Sequence, residues 1–454
     1  MPESITIDPT LGGLMEGVTH ALNPEAVERQ ASGEPEWLAL RRREAWSHYE
    51  RTPLPTTRLE EWRYTDLSRL LKLDTLALSD WEPRTFQMEK APERLQVAMA
   101  EDWEASGHVV ELDGSVAHVD LDAELAAKGV ILTSLRKAVE SHPELLEELL
   151  ATEALPATQG KFQALNAALW TDGILLRVPR GVRLEMPVRV SRWVSDPGQA
   201  IFSRTLIVAE EGSQVSFVDE ILSEDLSEQT LFSSAVEVFA RNGAQVQYVS
   251  VQRMGEGAFH LAQQRTLADR DATLDTLNIS LGASVARLDL NAQLRGPGAN
   301  SDMLGLCFGG GTQHFDHNTS QDHIAPNSKS DLLYKGALDG RARSVFRGII
   351  KVHEEAQRTD AYQTNRNLLL SDEARADSLP NLEIEADDVR CSHGATVGQL
   401  DLESLFYIMS RGLSREQAER LVVMGFLGEV LSRLPLGGVV EKVTRSIRER
   451  LEHG

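Results

Sequence analysis

The stretch NLEIEADDVRCSHGATVG at 381–398 holds Cys391, one of only two cysteines in 454 residues, with His393 two positions on. A thiolate and a neutral imidazole form a ligand pair for a soft or borderline metal, and an imidazole can also stabilise a neighbouring thiolate. In a strand, side chains at i and i+2 share a face, so the spacing permits either role. The competing reading is a cysteine used as a small buried hydrophobe. A second group, GGGTQHFDHNTSQDHIAPNS, gathers His314, His317, His323, Asp316 and Asp322 within ten residues. Such donors suit a divalent metal. On a strand, however, His314 and Asp316 lie on one face and His317 on the other, which divides the set. Hydrogen-bonded polar residues lining a sheet are therefore expected there. Cys307, in the apolar run MLGLCFGGG, reads as core.

Other seats of chemistry are missing. The sequence has no GxxxxGK[ST], GxSxG, HExxH or CxxC. The GGG at 309–311 precedes no helical pattern and so makes no phosphate loop. Two cysteines fall short of the four thiolates that usually hold an iron–sulfur cluster, so a cluster or metal would need a second chain. The formal net charge is −23, with 69 acidic against 46 basic residues. Such a field disfavours nucleic acid and anionic membranes as partners. The opening stretch MPESITIDPTLGGLMEG lacks the features of a secretory signal, and no apolar run is long enough to span a bilayer. A soluble cytoplasmic protein is expected.

Three regions must position these residues. Residues 1–155 read as a helical N-terminal domain. In EPEWLALRRREAWSHYERTPLP, the residues Trp37, Leu38, Leu40, Ala45, Trp46 and Tyr49 stand near helical spacing. LTSLRKAVESHPELLEELLATEAL predicts two helices broken before Pro143. Five of seven tryptophans lie in the first 103 residues, which predicts a core private to this region.

Residues 156–400 change to short alternating runs rich in Val and Ile, typical of strands. Small residues recur at the corners between them. The intervals are 31 from Gly181 to Gly212, 31 to Gly243, 28 from Ala244 to Ala272, 27 to Ala299 and 32 from Ala342 to Ala374. One interval, Ala299 to Ala342, is 43. A near-fixed period of this size predicts a stacked solenoid, and a parallel β-helix over a sandwich. Its terminal strands must be capped or paired with another chain.

Residues 401–454 return to helical pattern. A stop at Gly412 is followed by an N-cap at Ser414 and a capping box completed by Gln417. The next helix is apolar nearly all round from Leu421 to Leu427, so it must bury itself against the solenoid or a partner. The last stretch, VVEKVTRSIRERLEHG, reads as a charged amphipathic helix.

Three long segments are specific enough to carry a resemblance. DLLYKGALDGRARSVFRGIIKVHEEAQRTDAYQTNRNLLLS, PNLEIEADDVRCSHGATVGQLDLESLFYIMSRGLS and, at 60–70, EEWRYTDLSRL resemble the SufB/SufD family of iron–sulfur cluster assembly proteins. The last is similar to the N-terminal signature of the SufD branch. Asn365 stands where the SufB branch has a scaffold cysteine, and Gly394 where it has a glutamate; both point to SufD. The resemblance implies a right-handed parallel β-helix between helical ends, and a non-catalytic subunit in a complex with SufB and two copies of the ATPase SufC. It also implies that His393, with a less settled Cys391, lies at the SufB interface. There His393 would help build, and could ligate, a transient cluster; no cofactor is expected on the chain alone. The C-terminal helices, through Leu405, Phe406, Leu421, Val422 and Phe426, would dock the ATPase, and the edge that pairs with SufB could form a homodimer in isolation. The rival readings are a stand-alone metal-binding protein and a β-helix enzyme acting on polysaccharide.

Overall fold

The computed structural model describes residues 21–100, 104–434 and 436–453; the opening segment read for a signal, and Trp103, lie outside them. Between Asp172 and Gln399, sixteen strands wind into a β-solenoid of eight coils, each giving one strand to each of two sheets. Every neighbouring pair within it is parallel. Side chains alternate along each strand, so one set fills the space between the sheets and the other faces outward.

The corners explain the sequence period. Before each strand of the second sheet but the last the chain turns through a residue at positive φ, including Gly243 (65°), Asp271 (57°), Gly298 (77°) and Asn327 (59°). Glycine, asparagine and aspartate tolerate this left-handed conformation best. The following residue is small and wholly buried: Ala244, Ala272, Ala299 and Ser328. Asn300 pairs with Lys329, so Ser328 is the structural successor of Ala299. The 43-residue interval is thus no insertion. Ala342 precedes Arg343–Val352, a strand of the first sheet, and the count had crossed from one set of corners to the other.

The N-terminal region seals one end of the solenoid. Helices Pro24–Ala31, Glu36–Arg51 and Lys161–Leu169 pack together, and Leu135–Ser141 and Pro143–Leu149 break at Pro143 as the sequence predicts. Leu38, Ala45 and Trp46 are buried, whereas Leu40 is 52% exposed; Arg42 takes the inward position. Its guanidinium bonds Glu34 at 2.7 Å and the carbonyl oxygens of Ala168 and Trp170. The region is not helical alone. Gly107–Leu112 pairs parallel with Val188–Val194 and antiparallel with Ser115–Leu121, and Ile131–Ser134 pairs antiparallel with Asp172–Val178. Nor does it keep a private core, since Trp46, Trp62 and Trp170 join one cluster with Phe202, Leu231 and Phe239 of the solenoid. These solenoid residues alternate with the inward-facing Ile201, Phe232 and Val238, so the N-terminal helices cover the outer face of the first sheet and not the end of the stack.

After Gln399 the chain forms helix Leu402–Met409, stops near Gly412 (φ 96°) and starts Arg415–Arg433 with the expected Ser414–Gln417 capping box. Arg415–Arg433 lays Val423, Leu427, Val430 and Leu431 on the outer face of the second sheet. Gly437–His453 adds Val439, Val443 and Ile447 to the same cluster, each burial contributing ~1.5–3 kcal/mol.

Candidate functional site

Cys391 and His393 lie on the last strand, Val389–Gln399, whose only strand partner among the described residues is Thr359–Leu369. The register sets Cys391 beside Ala361 and His393 beside Gln363, both buried and facing the solenoid interior. The pair therefore occupies the inward face of the final coil, and the same-face expectation holds. No further coil follows among the described residues, so this interior is open. His393 is exposed and Cys391 half-buried against Val389 and Ala386.

The other strand of that coil, Arg375–Ile384, pairs only with Arg343–Val352 among the described residues. Leu382 and Ile384 are in register with the fully buried Ile350 and Val352, yet are 39% and 40% exposed. Val397, beside the buried Asn367, is 45% exposed. Leu382, Ile384, Cys391, His393 and Val397 thus form the floor of an unfinished core, flanked by two strands with free backbone donors and acceptors. Such an edge is a template for another chain.

The chemistry available at this end is one thiol and one imidazole. No hydrogen bond joins Cys391 to His393, and burial, its main cause, raises the Cys391 thiol above its ordinary value. A thiolate poised by the imidazole is therefore not what the isolated chain holds. No group of three or more metal-ligating side chains occurs among the described residues. Beneath His393, Gln363 is buried with neither side-chain amide atom partnered. Asn365 is buried two positions on, its Nδ2 donating to the Tyr334 carbonyl at 3.3 Å.

Comparison with known proteins gives this geometry its context. A model described as SUF system FeS cluster assembly, SufBD core domain, matches residues 192–426, more than half the chain. One described as the SufBD protein N-terminal region matches residues 22–190. The chain belongs to the SufB/SufD family. It is similar to iron-sulfur cluster assembly SufBD family proteins of Staphylococcus saprophyticus and Staphylococcus haemolyticus, each 27% identical over 99% of this chain and 96% of the relative. A Staphylococcus aureus relative is 26% identical over the same shares. As a SufBD-family protein, it is involved in iron–sulfur cluster assembly.

Within this SufBD chain the residues read as an ATPase-docking set divide. Phe406 and Leu421 are 73% and 55% exposed, and Val422 is half-buried. Leu405 is buried, and Phe426 packs back towards the solenoid with the Lys335 ammonium 4.5 Å over its ring. The all-round apolar helix thus resolves into a solenoid-facing side and an outward side. Sequence reasoning missed the rest of the outward patch: Leu402 (71% exposed), Tyr407 (58%), Met409 and Leu413. The signal was available in LESLFYIM, where apolar residues exceed what one buried stripe of a helix can absorb.

The histidine cluster of the same family member is structural. His314 bonds Thr65 at 2.9 Å, and Thr65 also donates to Asp316, which pairs with Arg287. With Trp62 stacked over Arg287 at 3.5 Å, this fastens the EEWRYTDLSRL segment to the first sheet. His317 faces inward to Ser280 at 3.2 Å, and His323 bonds Ser328 and Ser330, each at 2.7 Å. Burial lowers His317 and His323 to about 4. Cys307 is core, its thiol pushed up by burial to about 12.

Proposed function

We propose that this chain is a SufD-like subunit of a SufBCD-type scaffold, acting without catalysis of its own. It supports cluster assembly where its open solenoid end meets a SufB-like chain. The observation that carries this reading is the unfinished core at the last coil, with His393 and Cys391 on its floor between two edge strands. A partner solenoid end would extend both sheets, cover Leu382, Ile384 and Val397, and bring its own sulfur-bearing ligands to His393. Asn365 and Gly394, in place of the cysteine and glutamate of the SufB branch, support the SufD side of the pair. The outward patch of Leu402, Phe406, Tyr407 and Leu421 supports docking of a SufC-like ATPase in the cytoplasm. ATP-driven motion of two such subunits would pass through the C-terminal helices and loosen the shared interface for iron and sulfur to enter.

The test is to produce the chain alone and with SufB-like and SufC-like partners, then measure native mass and the iron and sulfide gained on reconstitution. A four-subunit complex that gains a cluster only with all partners present supports the proposal. A chain that ignores those partners, or binds stoichiometric metal alone, overturns it. Stable self-association with no heterocomplex would instead assign the open end to a second copy of this chain.

A further inference from the structure

Far from the last coil in sequence, a cleft of about 560 Å³ lies where three elements meet: helix Glu93–Met99, strand Gln245–Arg253 and helix Gly437–His453. Arg94, Arg253 and Arg450 come to it, one from each element. Their partners do not balance them. Among the described residues Arg450 bonds only the Phe308 carbonyl and Gln313 Oε1, both at 3.4 Å, and no carboxylate of theirs lies within ion-pair distance of it. Arg94 donates to the Ser223 carbonyl at 2.7 Å, with Glu224 4.0 Å away and 60% exposed. Arg253 pairs with Glu220 and reaches Ser446 Oγ at 3.2 Å, but Glu220 also takes the Lys442 ammonium at 2.5 Å. The Nε of Arg253 is buried with no partner. Glu93, Glu449 and Arg445 also line the cleft, with Val97 and Leu281 as apolar wall.

Three guanidinia drawn together repel one another. Burial first, then the charges of Arg94 and Arg253, lowers Arg450 to about 10, and the charge of Arg253 adds to burial in lowering Arg94. In a chain of net charge −23, such convergence runs against the overall field and must be compensated locally. Guanidinia bind phosphate oxygens in fork geometry, and the volume lies within the range of small-molecule sites.

We infer that this cleft is an oxyanion site for a phosphate group, free or carried by a small organic ester, that ties the C-terminal helix to the N-terminal region and the solenoid. The inference stands independently of the assembly role, because it needs no partner chain. A ligand held by all three elements stabilises their docked arrangement by mass action.

The test uses the full chain in a phosphate-free buffer at constant ionic strength. Inorganic phosphate and glycerol 2-phosphate are titrated by calorimetry, with sodium chloride as control, while hydrogen exchange is followed over 437–453. Saturable binding is expected, with slower exchange in that helix, and Arg450→Gln and Arg94→Gln should each weaken binding about tenfold or more. Arg343→Gln, on a half-exposed ion pair with Asp377 elsewhere, should leave it unchanged. Tighter binding of the ester assigns an organic phosphate, and equal or weaker binding assigns free phosphate; either supports the site. Absence of saturable binding, a response matched by sodium chloride, or unchanged affinity in both Arg450→Gln and Arg94→Gln overturns it.

Discussion

The first and last coils of this solenoid are built from the same kind of strand and meet opposite fates. Val188–Val194 is buried at every position, whereas Val389–Gln399 has no fully buried residue. At the first coil, strand 107–112 extends the second sheet and strand 131–134 the first, and Val109 and Leu132 join the cluster between the sheets. At the last coil, inward-facing Leu382, Ile384 and Val397 remain uncovered. The cap is a choice of the chain rather than a property of the strands. An end left open at this cost in exposed apolar surface is an end kept for something else to close.

The contrast can be broken most severely at the sealed end. There Arg192, buried between the sheets, pairs with Glu111 and, at 2.6 Å, Asp219, and also bonds Ser203 and Thr205. Burial, the largest influence, raises Glu111 against the pull of Arg192. Arg192→Leu would strand two carboxylates in the core and should cost about 3–5 kcal/mol by chemical denaturation. A loss below 1 kcal/mol would show that the end is not sealed as described.

At the opposite pole, Phe406→Asp should leave the chain's own stability within about 0.5 kcal/mol and weaken capture of a SufC-like ATPase by ~2 kcal/mol, measured by calorimetry or co-purification. Unaltered capture would remove Phe406 from the docking surface. His393→Ala sharpens the comparison further. The fold should again be unaffected, while cluster yield of the reconstituted complex falls about tenfold or more. A wild-type rate of cluster formation would reduce His393 to a bystander at the edge.

A further effect is a titration in the middle coils. His317 and His323 are lowered to about 4 from 6.5, so between those values the unfolded chain takes up protons that the folded chain refuses. Stability should therefore be full above pH 6.5 and fall as the pH drops towards 4, by ~1.4 kcal/mol per pH unit for each histidine. His323→Asn should flatten that slope by one proton's share; an unchanged slope would mean that His323 is protonated in the fold.

Much of this was legible in the residues. The corner period identified the solenoid because several corners before second-sheet strands take a positive-φ residue followed by a small buried one, a local requirement that repeats. The Ser414–Gln417 capping box and the break at Pro143 were readable for the same reason. The successor of Ala299 was missed because serine at 328 satisfies the corner as well as alanine does. The five docking candidates could not be sorted, since Leu405 and Phe406 are adjacent and alike in hydrophobicity; only the direction of the solenoid face separates 3% exposure from 73%.

The sequence by itself determined the family, the strand period and the shared face of Cys391 and His393, because each follows from local geometry or from long matching segments. Only the tertiary structure decided that this face opens to solvent, and that Trp46 and Trp62 pack against the outer face of the first sheet. It alone brought Arg94, Arg253 and Arg450 to one cleft. Burial and proximity between distant segments depend on how whole elements stack, and no local pattern of residues encodes which of two equivalent ends will be covered.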